Sequence, residues 1–245
     1  PPDARHRIPE ALRCLLVRSG KRVVLVDTGI GDKWGPKDVD IFAIDHTRST
    51  IDTELARLGL TRADVTDVIL THLHFDHAGG ATLRNAEGRI VPAFPRATYH
   101  VQRRNWAWAH HPTEKDAGSY RPENFEPLAE ARVLHLVEGE TELFPGIRLV
   151  LSEGHTVGMQ LVRVEGDDGW LTYCADLVPT SAHLRASWGM AYDLYPLTVI
   201  EEKKMLVGEA IADGGILFFE HDPVLPAAKV GEEKGDVKVT ERVTF

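Results

Sequence analysis

Three histidines and an aspartate fall within six positions at the end of an apolar run. Val68-Ile69-Leu70 leads into Thr71-His72-Leu73-His74-Phe75-Asp76-His77, and Gly79-Gly80 follow shortly after. No other segment limits the fold as strongly. Four such groups crowded at one strand end are costly to bury unless a cation organises them. A lone histidine beside a strand is more often a hydrogen-bonded structural residue than a ligand, but a cluster of this density is a different case. His72 and His74 share one face of an extended segment, whereas Asp76 and His77 in the following turn point to a neighbouring position. That alternation suits two adjacent metal ions.

Histidine is the commonest metal ligand, and the chain holds twelve in 245 residues,. Three further candidate donors stand at predicted strand ends. His155 lies in Gly154-His155-Thr156-Val157-Gly158, where glycines permit tight turns and close backbone approach,. Asp176 follows the run Leu171–Cys174, and His221 follows Ile216–Phe219. Each alone is as easily structural as ligating. Together with the first cluster they make seven donors, enough for two ions with one bridging carboxylate and open positions for water. That is the arrangement of a two-metal hydrolase.

The surrounding pattern is rich in short strands. Ala11–Val17 and Arg22–Asp27 are joined by a Ser19-Gly20 hairpin signal,. Ala97–Val101, Val133–Val137, Ile147–Leu151, Gln160–Val164, Trp170–Cys174 and Ile216–Phe219 also read as strands. Ser49-Thr50-Ile51-Asp52 has the form of a capping box opening a helix that stops at Gly59,. Thr198-Val199-Ile200-Glu201 has the same form, opening a helix through Ile211 with its stop at Gly214-Gly215,. Two successive blocks of strands, each closing on a helix, predict an α+β fold of two packed sheets with helices outside, the halves sharing one site. Residues 85–127, rich in proline, aromatics and charge, read as a long surface excursion near a substrate pocket,. One domain over 1–245 is expected. The start at Pro1-Pro2, without methionine, reads as a trimmed N-terminus.

Asp and Glu outnumber Lys and Arg by 37 to 28, a formal charge of -9 that argues against a nucleic-acid partner,. No apolar run reaches the roughly 18–20 residues that cross a bilayer, so no membrane partner is expected. The two cysteines, Cys14 and Cys174, allow at most one disulfide and favour a reducing, cytoplasmic location,. Cys174 reads as a buried strand residue rather than an activated thiolate. Glu201-Glu202-Lys203-Lys204 reads as a solvated helix face and Lys229–Lys238 as an exposed tail.

The ordered set His72-x-His74-x-Asp76-His77, then His155, Asp176 and His221, closely resembles the metallo-β-lactamase-fold hydrolase superfamily. Leu25-Val26-Asp27-Thr28-Gly29 resembles the strand and turn that precede the family's metal loop, and the likeness spans about Arg13 to Pro223. The resemblance implies an αββα four-layer sandwich of two mixed sheets with helices on the outer faces. It implies one metal on His72, His74 and His155, a second on Asp76, His77 and His221, and Asp176 bridging. Asp27 is expected to support the turn or a ligand rather than to ligate. Val157 departs from the proline that many relatives carry there, which bears on loop stiffness and not on the ligand set.

True metallo-β-lactamases lack the aspartate matching Asp176. The strings Asp176–His183 and Tyr192–Leu197 resemble hydrolases near the N-acyl-homoserine lactonases and the aryl-ester and phosphotriester enzymes. The expected reaction is hydrolysis of a small ester or lactone by a hydroxide shared between two dications. In that scheme Asp176, with Asp76 beside it, is the catalytic carboxylate and relays a proton to the leaving group. Zinc is the default ion, with manganese, iron or cobalt as alternatives. Those lactonases place a carbonyl-binding tyrosine where Val178-Pro179-Thr180 stands here, so His183 or Tyr192 is the candidate replacement. Trp106, Trp108, Trp188 and Tyr192 are candidate pocket walls, with ordinary core or homo-oligomer contacts as the alternative. Phosphotriester or thioester hydrolysis is the second expectation, and a metal-binding scaffold without turnover is the contrasting one.

Overall fold

The computed structural model describes residues 2–245; Pro1, the first residue of the expected trimmed terminus, lies outside the described residues. In chain order the elements are β1 (Leu15–Ser19), β2 (Arg22–Val26), α1 (Pro36–Phe42), α2 (Ile51–Arg57), β3 (Asp67–Ile69) and α3 (Phe75–Ala78). There follow β4 (Thr82–Arg84), β5 (Ile90–Pro92), β6 (Thr98–Gln102), α4 (Arg103–His110), α5 (Glu126–Glu130) and β7 (Leu134–Val137). The rest comprises β8 (Thr141–Phe144), β9 (Ile147–Ser152), β10 (Met159–Gly166), β11 (Gly169–Tyr173), α6 (Pro196–Asp213), β12 (Ile216–Phe218), β13 (Ala227–Glu233) and β14 (Asp236–Val243). The class is α+β with mixed sheets, as the sequence predicts. The chain divides into two compact units.

The first unit comprises Cys14–Val101 and Ser119–His135 with the segment up to Pro9. Its sheet runs β1-β2-β3-β6-β7. β1 and β2 form the expected antiparallel hairpin, while β2–β3 and β3–β6 are parallel. Val24, Val26, Val68, Ile69, Tyr99 and Val101 are buried, the two-sided burial that parallel strands require,. Val26 lies opposite Ile69. The chain therefore leaves β2 at Asp27 and β3 at Leu70 on the same edge, which brings Asp27 to the histidine segment. Helix α2 starts as expected, but its cap is Thr50 with Thr53, one residue later than the predicted pairing of Ser49 with Asp52. The Ser49 hydroxyl donates instead to Glu54 Oε1 at 2.8 Å. Pro36 begins α1. Residues 85–127 hold β5, β6 and α4, and Phe94, Tyr99 and Phe125 there are fully buried.

The second unit comprises Gln102–Gly118 and Leu136–Phe245 with the short segment Glu10–Arg13. Its sheet runs β14-β13-β12-β11-β10-β9-β8. Every pairing is antiparallel except β11–β12, and α6 makes the crossover that a parallel pair demands,. Ser152 pairs with Met159 and Tyr173 with Phe218. That register delivers the His155 loop, Asp176 and His221 to one edge of the sheet. Helix α6 starts at Pro196, two residues before the predicted box, and no side chain caps it. Proline at the first position supplies the helical φ and has no N–H to satisfy, so Thr198 falls inside the first turn. Gly214 ends the helix in the left-handed conformation, φ 71°, as the sequence predicts. The predicted exposed tail at 229–238 is instead a hairpin of β13 and β14, turning at Lys234-Gly235 with both φ positive,. Much of it faces solvent, but Val230 is buried. No described helix is long and apolar enough to cross a membrane.

Candidate metal centre

In the first unit, β3 ends at Ile69, the backbone bends at Thr71, and His74 is extended before the single turn of α3. His72, His74 and His77 are buried and Asp76 is half-buried. The ring centroids of His72 and His74 are 4.4 Å apart and those of His72 and His77 are 4.0 Å apart. His77 Nε2 lies 3.7 Å from Asp76 Oδ2. The tight turn after α3 requires glycine. A Cβ on Gly79 would stand 2.1 Å from the Ile30 carbonyl oxygen, and one on Gly80 would stand 2.2 Å from that of Thr28. Phe75 anchors α3 from outside, packed edge-on against Trp34 at 5.2 Å.

Asp27 supports this loop, as expected. Its Oδ2 accepts from His77 Nδ1 at 2.9 Å and from the Thr71 hydroxyl at 2.7 Å, and its Oδ1 accepts from Thr71 N–H at 2.7 Å. Thr71 Oγ1 also meets His72 Nδ1 at 3.1 Å. The Nδ1 atoms of His72 and His77 are thus engaged from behind, the orienting pattern found behind metal-ligating imidazoles. Tyr120, which nothing in the sequence singled out, stacks edge-on against His74 with centroids 4.8 Å apart.

In the second unit, Asp176 stands between two imidazoles. Its Oδ2 is 3.0 Å from His155 Nε2 and its Oδ1 is 3.0 Å from His221 Nε2. Both histidines are again held at Nδ1: His155 donates to Asp193 Oδ1 at 2.9 Å, and His221 to the Ala11 carbonyl at 3.0 Å. Burial disfavours a charged His155, but the carboxylates of Asp176 and Asp193 outweigh it and push its pKa up to about 9. Donor atoms on one ion at roughly 2.0–2.1 Å sit about 3 Å apart, so the spacing at Asp176 fits a shared metal. The donor chemistry of each unit, imidazole Nε2 with carboxylate oxygen, fits divalent metal.

The His155 loop is shaped by its neighbours. A Cβ on Gly154 would stand 2.6 Å from Val199 of α6, and one on Gly158 would stand 2.5 Å from the Asn105 nitrogen of α4. Asn105 Nδ2 donates to the Val157 carbonyl at 2.8 Å. Glu202 accepts from Ser152 Oγ at 2.6 Å and from Glu153 N–H at 2.7 Å. This corrects the expectation of a solvated face at 201–204. Only Glu201 and Lys204 are exposed, while Lys203 is 1% exposed and donates to the Trp188 carbonyl at 2.5 Å. A helix advancing 100° per residue turns half of such a quartet inward, and charge alone does not reveal which half. Asp193 was missed for a related reason: 38 positions separate it from His155.

The predicted wall residues are placed as follows. Tyr192 is half-exposed, its ring edge-on to His155 at 6.1 Å. Trp188 is 49% exposed. Trp106 and Trp108 are partly buried on α4, with Trp108 Nε1 donating to Asp116 at 2.7 Å. His183 is partly buried and meets the Thr180 hydroxyl through Nδ1 at 2.7 Å; burial, aided by Lys203, lowers its pKa. Cys174 is fully buried and its thiol pKa is raised by desolvation, the inert state expected.

Buried imidazoles oriented from behind and interleaved with carboxylates are a donor set suited to divalent metal. The model of the metallo-beta-lactamase superfamily matches residues 9–221, and the chain belongs to that superfamily. It is 32% identical over 183 residues to the probable metallo-hydrolase Rv2300c of Mycobacterium tuberculosis, covering 68% of this chain and 57% of that protein. It is 27% identical over 168 residues to an N-acyl homoserine lactonase of Bacillus cereus, covering 64% and 60%. The chain thus spans under two thirds of the length of these relatives. A probable metal-dependent hydrolase from Staphylococcus aureus, of known structure, superposes with a TM-score of 0.88 at 28% identity, covering all of this chain and 86% of that one.

Proposed function

We propose that the chain acts as one functional unit, a two-metal hydrolase of a small ester or lactone. The observation that carries this reading is Asp176 set between the Nε2 atoms of His155 and His221 at 3.0 Å each. A carboxylate so placed would serve as the residue shared between two ions. Membership of the superfamily supports completing the set with the first unit's donors: His72, His74 and His155 for one ion, Asp76, His77 and His221 for the other. Zinc suits this nitrogen and oxygen donor set, with manganese, iron or cobalt as rivals. When bound, two such ions supply Lewis acidity, lowering the pKa of water toward 7 and polarising the scissile carbonyl.

The chain's own residues supply the rest. Asp176 holds the proton released by the attacking water and passes it to the leaving oxygen, and Asp76 supports it as the second carboxylate. Tyr192 offers an apolar wall beside His155, with Trp188, Trp106 and Trp108 as candidates for further wall. His183, its Nδ1 engaged by Thr180, offers Nε2 as donor to the substrate carbonyl. The lactonase activity named for the Bacillus cereus relative supports the substrate class. A content of only two cysteines, Cys14 and Cys174, suits a reducing, cytoplasmic location,.

The test is metal analysis of protein purified without added metal, paired with a panel of lactones, aryl esters, thioesters and phosphotriesters. We expect two equivalents of metal and turnover of lactones or esters, abolished by Asp176→Asn. A two-metal protein inert to the whole panel would point instead to a binding scaffold. Full activity in both His77→Ala and Asp176→Asn would refute the site.

A further inference from the structure

We propose that Lys203 is a positioning residue for His155, acting through the 188–195 loop and Asp193. This rests on the reading that His155 ligates a metal, and goes beyond it by naming what holds that ligand in its productive tautomer.

The case starts from a buried lysine. Lys203 is almost wholly inside the second unit, and its ammonium donates to a main-chain carbonyl, that of Trp188. Burying an ammonium is costly, and a methionine or leucine would fill the helix face without that cost. The loop beyond Trp188 has neither helix nor strand to hold it, yet it presents Asp193 to His155 with both side chains buried. Its shape comes from a chain of bonds. Asp193 Oδ2 accepts from Met190 N–H at 2.8 Å, and Asp193 N–H donates back to the Met190 carbonyl at 3.1 Å. A Cβ on Gly189 would stand 2.8 Å from Asp193 Oδ2, so the loop closes tightly on that carboxylate. Lys115 Nζ donates to the Asp193 carbonyl at 2.6 Å. Beyond it, Leu194 and Tyr195 N–H donate to the carbonyls of His155 and Gly154 at 3.0 and 2.9 Å.

The loop is therefore pinned to the His155 loop at residues 194–195 and to helix α6 at Trp188, with Asp193 between the pins. His155 must keep its proton on Nδ1 for Nε2 to remain a donor toward metal, and Asp193 is the acceptor that holds it there. Releasing the Trp188 pin frees the loop on one side and loosens Asp193 against the imidazole.

The experiment is zinc titration against a chromophoric chelator for wild type, Asp193→Asn, Lys203→Met and the double variant, with long-range proton–nitrogen NMR of the His155 Nδ1–H in the zinc-loaded proteins. Asp193→Asn is expected to weaken one zinc and spare the other, by about 10- to 100-fold. Lys203→Met is expected to weaken the same zinc and to diminish the Nδ1-protonated His155 signal. The double variant should be no worse than Asp193→Asn, because the two residues act in series. Wild-type zinc affinity and an unchanged His155 signal in Lys203→Met would overturn the proposal, even with a lowered melting temperature, since Lys203 would then serve stability alone. Additive losses in the double variant would overturn it as well. If Lys203→Met does not fold, Lys203→Gln, which keeps a donor of similar length, gives the same test at reduced amplitude. Wild-type protein that binds no divalent ion would overturn the functional reading itself, an outcome separate from unchanged binding in the variant.

Discussion

Replacing Asp27 by asparagine changes no shape and one charge, which makes it a sensitive probe of the first unit's candidate ligands. The carboxylate accepts three hydrogen bonds, from Thr71 N–H, the Thr71 hydroxyl and His77 Nδ1, and both Asp27 and His77 are wholly buried. An asparagine can turn its oxygen to keep Thr71 N–H, but its NH2 then faces two donors. The threonine hydroxyl rotates away easily. His77 must either carry an unsatisfied Nδ1–H or move that proton to Nε2, the atom it needs for metal. Leaving one buried donor unsatisfied costs about 1–3 kcal/mol, which corresponds to roughly 5- to 150-fold in affinity. We therefore expect Asp27→Asn to weaken one bound zinc by that factor, read by chelator competition, and to shift the His77 proton toward Nε2 by NMR. Two zinc ions at wild-type affinity, with His77 still protonated at Nδ1, would refute the reasoning.

Three further outcomes are expected. Gly79→Ala places a methyl 2.1 Å from a main-chain oxygen that has no rotamer to escape with, so a loss of about 1–3 kcal/mol is expected,. At this chain length that corresponds to roughly 2–12 °C in thermal denaturation, and an unchanged melting temperature would contradict the packing. Asp67 is desolvated, but bonds from His100, Thr66 and Arg22 more than offset this and hold its pKa below the ordinary carboxylate value of 3.8. A depressed carboxylate contributes stability that is full above its unfolded pKa and lost as pH falls through the folded one. The deficit of Asp67→Asn, about 1–3 kcal/mol near neutrality, should therefore shrink as urea denaturation is repeated from pH 5 down to 3. Chelation of the metal-loaded protein removes a ligand of the folded state alone, worth about 2.7 kcal/mol at a hundredfold excess over Kd. The melting temperature should fall by roughly 5–11 °C, and no change on chelation would show that metal is not part of the native site.

Much of this centre is legible in one dimension. Seven candidate donors stand near strand ends, and a strand end is marked locally by an apolar run that stops. The Leu25–Gly29 strand and turn, the Gly79-Gly80 pair and the stop at Gly214 are equally local, each set by what the backbone can do over a few residues. Element starts were less legible where two signals competed, as when Pro196 outranked the box at Thr198, and the hairpin at 227–243 was hidden by its own charge.

The sequence by itself therefore determined the fold class and the residue types available to metal, which follow from periodicity and from chemistry concentrated in short strings, and pointed to the superfamily through the resemblance of its ordered His and Asp set. Only the tertiary structure decided which groups stand behind those residues. Asp27 reaches His77 across 50 positions, Asp193 reaches His155 across 38, and Lys203 turns inward from a charged quartet whose composition predicts solvent. The physical reason is that a hydrogen bond between distant segments leaves no local pattern. Asp193 sits in a loop without regular structure, and its carboxylate acquires a role only when sheet register and helix packing bring an imidazole within 2.9 Å.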